Sequence, residues 1–299
     1  MTDLVPPRRI ALATDLSHRC DRALDRALLV AKAWQAGLAV IHALPPPEIS
    51  NMFGSKREIP SWRRPPDPVK MARDSLYRDL VREDPSIDIS VHVEAGSPPD
   101  VVLNVVRECS SELLVTGVAR DEPLERMLLG TTVDRIIRKS SIPVLIVRNR
   151  AFEPYQHMVV ATDFSPSSQA ALKAALRFFP EAALSLFHAY DVPFAGYLGH
   201  REIEQQFSDF GQEAANKFLA EAGLPPDAAE RANRMIEHGV PEALLRDFAE
   251  TSRRHLTVVG THGGGRIYEA LIGSTARKII DAVPGDVLLV PDPDQHTVD

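Results

Sequence analysis

A glycine-rich stretch near the end of the chain has the composition of an anion-binding loop. It reads Gly260-Thr261-His262-Gly263-Gly264-Gly265, and Gly273-Ser274-Thr275 follows it. An apolar, β-branched run precedes the stretch and a helical pattern follows it, so the glycines connect a strand to a helix. Glycine lets successive backbone N–H groups turn toward one point, where a helix N-terminus adds partial positive charge. Such a loop binds phosphate, although a run of glycines is as common in a plain turn.

A Thr-Asp-x-Ser motif supplies the second group able to do chemistry. The segment Ala161-Thr162-Asp163-Phe164-Ser165 contains it, and Ala13-Thr14-Asp15-Leu16-Ser17 repeats it near the start of the chain. Each copy follows an apolar strand pattern, and a carboxylate there suits the hydroxyl groups of a ribose. Aspartate also leads helices as an ordinary turn residue. Recurrence of the motif favours a site role for Asp163.

The chain repeats these landmarks in constant order, which predicts a duplicated domain. Asp15 and Asp163 lie 148 residues apart, and His42 and His188, each ending an apolar strand pattern, lie 146 apart. Gly130-Thr131-Thr132 and Gly273-Ser274-Thr275 are 143 residues apart. We expect one domain over residues 1–149 and a second over 154–292, each of ordinary size. The two histidines are expected to be satisfied groups at the edge of the core.

Composition excludes several classes of protein. The 299 residues are 44% hydrophobic and 25% charged, as in ordinary globular proteins, and no apolar run is long enough to cross a membrane. Residues 1–10 lack the zones of a signal peptide, so a cytoplasmic location is expected. A net charge of −7 argues against nucleic-acid binding. Cys20 and Cys109 have no counterparts in the other copy, so neither a disulfide framework nor a structural metal site is expected.

Strand and helical patterns alternate through both copies, which predicts an α/β fold with two doubly wound parallel sheets of five strands. In such a fold ligands bind beyond the carboxyl ends of the strands, where the winding reverses. Asp163 ends a first strand and Gly260 ends a fourth strand, so the two face one crevice if these strands are neighbours. Ser17 and Ser165 are expected to cap the first helix of each copy. A proline-rich stretch at 45–68, containing the basic residues Lys56, Arg57, Arg63 and Arg64, is expected to be a solvated loop.

These motifs resemble the universal stress protein family. The resemblance rests on the strand ending in Thr-Asp-x-Ser, the strand ending in His-Ala, and the pattern Gly-x2-Gly-x9-Gly-Ser at Gly260, Gly263, Gly273 and Ser274. It covers both copies and therefore implies a tandem member of the family. It also implies five-stranded domains of the adenine nucleotide alpha hydrolase-like type and, as in many members, ATP binding.

Carried over by position, the family's ATP site falls in the second copy. Ala161, Thr162 and Asp163 would line the adenine and ribose, and the backbone of Ala189 would bond the adenine edge. The stretch Gly260, Thr261, His262, Gly263, Gly264 and Gly265 would wrap the ribose and phosphates. The side chain of His262 either touches the nucleotide or points to solvent. Gly273, Ser274 and Thr275 would receive the phosphates, and Mg²⁺ can accompany ATP because it usually binds through waters and phosphate oxygens.

The first copy departs from this pattern at its glycine loop. Arg120 stands at the position of Gly263, and Asp121 and Glu122 replace the two glycines that follow. A Cβ and two carboxylates oppose a polyphosphate by sterics and by like charge. Arg120 could partly compensate by reaching a phosphate. We expect the first copy to have lost the nucleotide.

Three functions remain open. The leading one is a stress and regulatory protein that holds ATP in its second copy and presents a surface read by a protein partner. An enzyme that hydrolyses ATP slowly or transfers its phosphoryl group is an alternative, with Asp163 the only candidate for orienting water or metal. Walker and dehydrogenase motifs are absent from the sequence. The third is a scaffold without nucleotide, whose copies pair through their last strands, 144–147 and 287–290. Family members commonly pair in this way, and a homodimer of whole chains is a further expectation.

Overall fold

The strands and helices alternate as the repeated pattern predicts. The computed structural model describes residues 5–17, 20–44, 67–80, 86–121, 126–190, 200–224, 226–251, 255–262 and 272–292. The first half contains β1 (Arg9–Ala13), α1 (Asp21–Trp34), β2 (Gly37–Leu44), α2 (Pro68–Leu80), β3 (Ile89–Ala95), α3 (Pro98–Glu108), β4 (Leu113–Gly117), β5 (Ala119–Asp121), β6 (Arg126–Leu128), α4 (Thr131–Lys139) and β7 (Val144–Val147). The second half contains β8 (His157–Ala161), α5 (Pro166–Phe178), β9 (Ala183–Tyr190), α6 (His200–Glu221), α7 (Pro226–Arg231), β10 (Asn233–His238), α8 (Pro241–Thr251), β11 (His255–Gly260), α9 (Ser274–Ala282) and β12 (Asp286–Val290).

Ten of these strands form one sheet in the order β10-β9-β8-β11-β12-β7-β4-β1-β2-β3. Within this sheet, the strands of each half pair only in parallel, which confirms the two five-stranded doubly wound sheets. The halves join through β12 and β7, which run antiparallel with Leu288 opposite Leu145. The predicted pairing of the last strands is therefore confirmed within a single chain.

The strands are apolar along their length because helices cover both faces of the sheet. Alternate residues of β1 enter opposite cores: Ile10 and Leu12 belong to one buried cluster, and Ala11 and Ala13 to the other. Both clusters continue from one domain into the other across β7 and β12. No helix among the described residues is long and apolar enough to span a membrane.

Three features differ from the expected pattern. Ser17 does not cap α1, which begins at Asp21 with Cys20 as its cap residue. The segment after β4 forms a small antiparallel hairpin, β5 with β6, that the sequence pattern did not predict. The short helix α7 was also not predicted. The proline-rich stretch lies outside the described residues up to position 66.

Candidate functional site

A cleft of about 510 Å³ lies beyond the carboxyl ends of the strands of the second domain. Strand β8 pairs with β9 on one side and with β11 on the other, so the winding of the sheet reverses between β8 and β11. The first and fourth strands are therefore neighbours, as the predicted crevice requires, and Asp163 and Gly260 line the same cleft. A cleft of this size falls within the range of about 300–1,000 Å³ that small-molecule sites occupy.

The cleft combines an apolar wall with a polar rim. Side chains of Phe187, Val259, Ile272, Ala276 and Ile279 form much of the apolar wall, with Pro241 beside them. The rim contains Asp163, His188, His262, Ser274 and Thr275, and Ser168 lines the cleft from its floor. An apolar interior with few polar groups at its edge is the usual composition of a site for an organic ligand.

The turn from β8 into α5 is built by the Thr-Asp-x-Ser motif itself. The Asp163 carboxylate Oδ1 accepts the backbone N–H of Ser165 at 3.0 Å, and the Thr162 hydroxyl accepts that of Phe164 at 2.8 Å. Between them Phe164 adopts a left-handed conformation with φ of 63°, which is uncommon for a residue with a large side chain. The motif therefore shapes the turn as well as presenting a carboxylate to the cleft.

His188 supports this turn from the neighbouring strand. Its Nδ1 lies 2.8 Å from the carbonyl oxygen of Thr162, and its ring packs against Phe164 with 4.4 Å between ring centroids. In the first domain, His42 makes the equivalent contact of 2.9 Å with the carbonyl of Thr14. Both histidines are thus satisfied at the edge of the core, as predicted.

The first turn of α5 forms the floor of the crevice. Ser165 caps the helix, because its hydroxyl accepts the N–H of Ser168. The Ser168 hydroxyl lies 2.9 Å from that of Thr162 and donates to the Ser165 carbonyl at 2.9 Å. These hydroxyls are buried and bonded to one another, so they fix the shape of the crevice.

Gly260 allows β11 to approach this turn closely. A Cβ at Gly260 would lie 2.7 Å from the Ser167 hydroxyl and 2.9 Å from the Ser167 carbonyl oxygen. The same hydroxyl accepts the backbone N–H of His262 at 3.3 Å. The close approach therefore ties the start of the glycine loop to α5.

The N-terminus of α9 closes the outer side of the cleft. Its cap residue is Gly273, and among the described residues no side chain caps this helix. Ser274 and Thr275 are exposed in the first turn, and both line the cleft. Backbone N–H groups at an uncapped helix N-terminus, with the helix dipole behind them, favour an anionic ligand.

Thr261 holds the two ends of the glycine loop together. Its carbonyl accepts the N–H of Gly273 at 2.7 Å, and its hydroxyl accepts the N–H of Asp292 at 3.1 Å. The hydroxyl also lies 2.9 Å from Nδ1 of the neighbouring His262. Thr261 is buried and does not line the cleft, whereas His262 does.

Most of the predicted site residues meet at this cleft. Those that line it are Ala161, Thr162, Asp163, Ala189, Gly260, His262, Gly273, Ser274 and Thr275. Gly263, Gly264 and Gly265 lie outside the described residues. The sequence patterns did not identify Ser168 or the apolar wall, which includes Phe187 and Ile272. The signal that could have found one wall residue is the position of Phe187 directly before His188.

The equivalent turn of the first domain has a different chemistry. Asp15 accepts the N–H of Ser17 and also lies 3.0 Å from the Cys20 sulfur, where the second domain has Ser168. Burial raises the pKa of Asp15, but the hydrogen bonds from Ser17 and Cys20 outweigh burial and lower it overall. Burial beside this carboxylate raises the pKa of the Cys20 thiol to about 11. The thiol therefore donates to Asp15 as a neutral group.

Comparisons with known proteins agree with the duplicated architecture. The sequence model of the universal stress protein family matches the chain twice, at residues 7–148 and 154–291. A Staphylococcus aureus protein assigned to that family is 24% identical over 170 residues, which cover 56% of this chain and 99% of that protein. A functionally unknown protein of Pseudomonas aeruginosa PAO1 has the same fold at 20% identity, with a TM-score of 0.69 over 99% of this chain and 96% of that one. A universal stress protein solved in complex with cAMP is 24% identical and matches 48% of this chain and 97% of its own, with a TM-score of 0.34.

Proposed function

This chain belongs to the universal stress protein family as a tandem member, and on that basis we propose that its second domain binds an adenine nucleotide, specifically ATP. The observation that carries the proposal is the cleft between β8 and β11, with its apolar wall and the N-terminus of α9 at its edge. In this proposal the protein is a stress-response regulator, and occupancy of the cleft alters a surface that a protein partner reads.

The chemistry of the cleft selects a ligand with two unlike ends. The wall of Phe187, Val259 and Ile272 suits a flat, weakly polar ring system. The first turn of α9 suits an anion, because its N–H groups and dipole present positive charge. A nucleotide carries a heteroaromatic base at one end and phosphate at the other. Neither a simple phosphate ion nor an apolar ligand would use both surfaces.

Several groups that line the cleft have a direct role in this proposal. Asp163 would accept hydrogen bonds from ribose hydroxyls, and the backbone of Ala189 would bond the base edge. Ser274 and Thr275 would donate to phosphate oxygens together with the N–H groups of their turn. Mg²⁺, when present, would be held by phosphate oxygens and water. Gly260 allows the glycine loop to begin close to the first turn of α5.

The direct test is to denature freshly purified protein and identify the released nucleotide by mass, with its molar ratio to the chain. One ATP per chain supports binding in the second domain alone, whereas two would mean that the first domain binds as well. If the protein is purified empty, titration with ATP should raise its melting temperature, because a ligand at 100 times its Kd stabilises the native state by about 2.7 kcal/mol. Empty protein that millimolar ATP does not stabilise would refute the proposal.

A matched pair of variants tests the position of the phosphates. Ser274→Asp places a carboxylate at the first turn of α9, where it favours the helix dipole but repels phosphate. We expect this variant to keep its melting temperature without ligand and to lose at least tenfold in ATP affinity. Thr131→Asp makes the same change at the equivalent position of α4 in the first domain and should leave ATP binding unchanged. Equal ATP affinity of both variants would place the phosphates elsewhere.

The alternative functions are distinguished by the same preparation. ADP found in place of ATP, together with phosphate release from added ATP that Asp163→Asn abolishes, would favour slow hydrolysis. If the protein is a nucleotide-independent scaffold, the wild type and Ser274→Asp should bind the partner equally well. The proposed regulator instead requires that the partner distinguish the ATP-bound from the empty protein.

A further inference from the structure

The junction of the two domains lies on an approximate two-fold axis. In the last strands and the helices before them, equivalent residues of the two copies are 143 positions apart, as Gly130 and Gly273 are. Leu145 of β7 pairs directly with Leu288 of β12, which is its own equivalent. Only residues beside a two-fold axis can meet their own equivalents. We call this junction, formed by β7, β12, α4 and α9, the seam.

A second self-facing pair at the seam carries opposite charges. Asp134 of α4 and Arg277 of α9 are also 143 positions apart, and the Arg277 guanidinium donates a hydrogen bond to the Asp134 carboxylate. Their side chains are only 25% and 33% exposed. Each is also paired within its own helix, Asp134 with Arg138 at 2.9 Å and Arg277 with Asp281 at 3.0 Å. The charges at these two positions of α4 are therefore opposite in sign to the charges at the equivalent positions of α9.

The ion pair across the seam shifts the pKa of both of its members. Burial raises the pKa of Asp134, but the hydrogen bonds from Arg138 and Arg277 lower it overall. The pKa of Arg277 is lowered by burial but raised overall by its hydrogen bonds to Asp281 and Asp134. If two first domains met through this face, Asp134 would oppose another Asp134. Two second domains would likewise set Arg277 against Arg277.

One end of the seam adds a buried contact that the opposite end cannot make. Asp286 is 1% exposed, and its carboxylate accepts the backbone N–H groups of Arg148 and Asn149 and, at 2.6 Å, the hydroxyl of Tyr155. The equivalents of Asp286 and Arg148 are Pro143 and Pro291, which have neither a charge nor an N–H group. A pair of second domains would therefore bury Asp286 against proline at both ends.

At the same end of the seam, Arg148 forms hydrogen bonds to helix α9 of the second domain. Its guanidinium donates to the carbonyl oxygens of Ile280 and Val283 at the C-terminus of α9. Burial lowers the pKa of Arg148 to about 10, partly offset by Asp281 and Asp286. Arg26 of α1 lies 3.5 Å from the same Asp286 carboxylate. Leaving one of these buried charges without its partner would be strongly destabilising.

We propose that the seam accepts a first domain only against a second domain. The partner that this surface fits is the other domain of the same chain, and a like domain of another copy is rejected by charge. Attraction comes from the Asp134–Arg277 pair and the Asp286 cluster, and rejection comes from the like charges that every self-pairing would bring together.

Single charge reversals reproduce the rejected pairings inside the intact chain. Asp134→Arg places an arginine opposite Arg277, as two second domains would, and Arg277→Asp places an aspartate opposite Asp134. We expect each to lower the melting temperature by about 2–4 °C, since about 1 kcal/mol shifts a domain of this size by that much. The double variant keeps both like-charge pairs within the helices but restores attraction across the seam. It should therefore melt higher than the sum of the single shifts predicts.

Matched controls separate the seam from its helices. Asp74→Arg creates the same like-charge pair with Arg78 on α2, and Lys217→Asp does so with Glu221 on α6, in both cases on exposed surface. These controls should change the melting temperature by less than half as much as the seam variants. Raising the salt concentration should reduce the loss caused by the seam variants. Additive shifts in the double variant, or controls that cost as much as the seam variants, would overturn the proposal.

Discussion

Gly260→Ala is the change that most directly tests how the cleft is built. The added Cβ would lie 2.7 Å from the Ser167 hydroxyl, 2.9 Å from the Ser167 carbonyl oxygen and 3.0 Å from its carbonyl carbon. The hydroxyl can rotate away, but the carbonyl group belongs to the first turn of α5 and cannot. The end of β11 must therefore move away from α5 by several tenths of an ångström.

The expected loss follows from two opposing terms. Overpacking of this kind costs about 1–3 kcal/mol, while replacing glycine returns about 0.4–1 kcal/mol by restricting the unfolded chain. With both terms at the middle of their ranges, the net loss in free energy of unfolding is about 1.3 kcal/mol, which urea denaturation can measure. Because Ser167 also accepts the N–H of His262, the same movement should break that bond and weaken the proposed nucleotide binding.

Gly37→Ala is the matched control for this substitution. Its Cβ would meet the nearest atom, the carbonyl oxygen of Asp88, at 3.7 Å, which is an ordinary contact. This variant should be as stable as the wild type or slightly more stable. Ser167→Ala combined with Gly260→Ala should recover only part of the loss, because the carbonyl clash remains. If Gly260→Ala unfolds at the same urea concentration as Gly37→Ala, the close approach of β11 to α5 is not a constraint and the reasoning fails.

Two further predictions concern the start of α5 and the response to acid. Ser165→Ala should lower the free energy of unfolding by about 1 kcal/mol, because it removes a helix cap; Ser17→Ala should cost less in the same urea assay, since Ser17 does not cap α1, and equal losses would contradict this. Burial raises the pKa of Glu112, but the N–H of Arg8 and the side chain of Arg177 lower it below its ordinary value of 4.5. A carboxylate with a depressed pKa contributes stability above its unfolded pKa and loses it as the pH falls through the folded pKa. Glu112→Gln should therefore be less stable than wild type at pH 7, by under about 1 kcal/mol since the pair is partly exposed, and the difference should shrink from pH 4.5 downward; a constant difference would exclude the ion pair as its cause.

The fold was predictable because several signals in the sequence agree. Apolar strand patterns, helical patterns and turn residues alternate in the same order in both copies, and each copy confirms the interpretation of the other. The strand 144–147 was predicted with the bounds that the structure has. That the first and fourth strands are neighbours was only a condition of the predicted crevice, and the pairing of β8 with β11 meets it.

The first helix of each copy starts differently after the same motif. Ser165 caps α5 because Pro166 directly follows it, and proline is suited to the first position of a helix. Ser17 occupies the same position of the motif, but no proline follows it, and α1 begins only at Asp21. The same motif therefore gives two different helix starts.

The turn that presents Asp163 could not be derived from residue preferences. Leu16 and Phe164 both adopt φ of 63°, a conformation that disfavours large side chains. It is imposed by the flanking hydrogen bonds of the Thr and Asp side chains. The sequence left Asp163 either as a site residue or as a turn residue, and in the structure it is both, because one carboxylate oxygen holds the turn and the residue lines the cleft.

The charges of the seam show why duplication conceals some contacts in a sequence. That Asp134 and Arg277 are equivalent follows from the sequence, but that they touch follows only from the antiparallel register of β7 and β12. At a self-facing position two leucines pack well together, so Leu145 and Leu288 are alike. Two like charges would repel, so a charged self-facing position requires copies of opposite sign. In a duplicated chain, reversed charge at equivalent positions beside the pairing strands therefore indicates which residues meet at the axis.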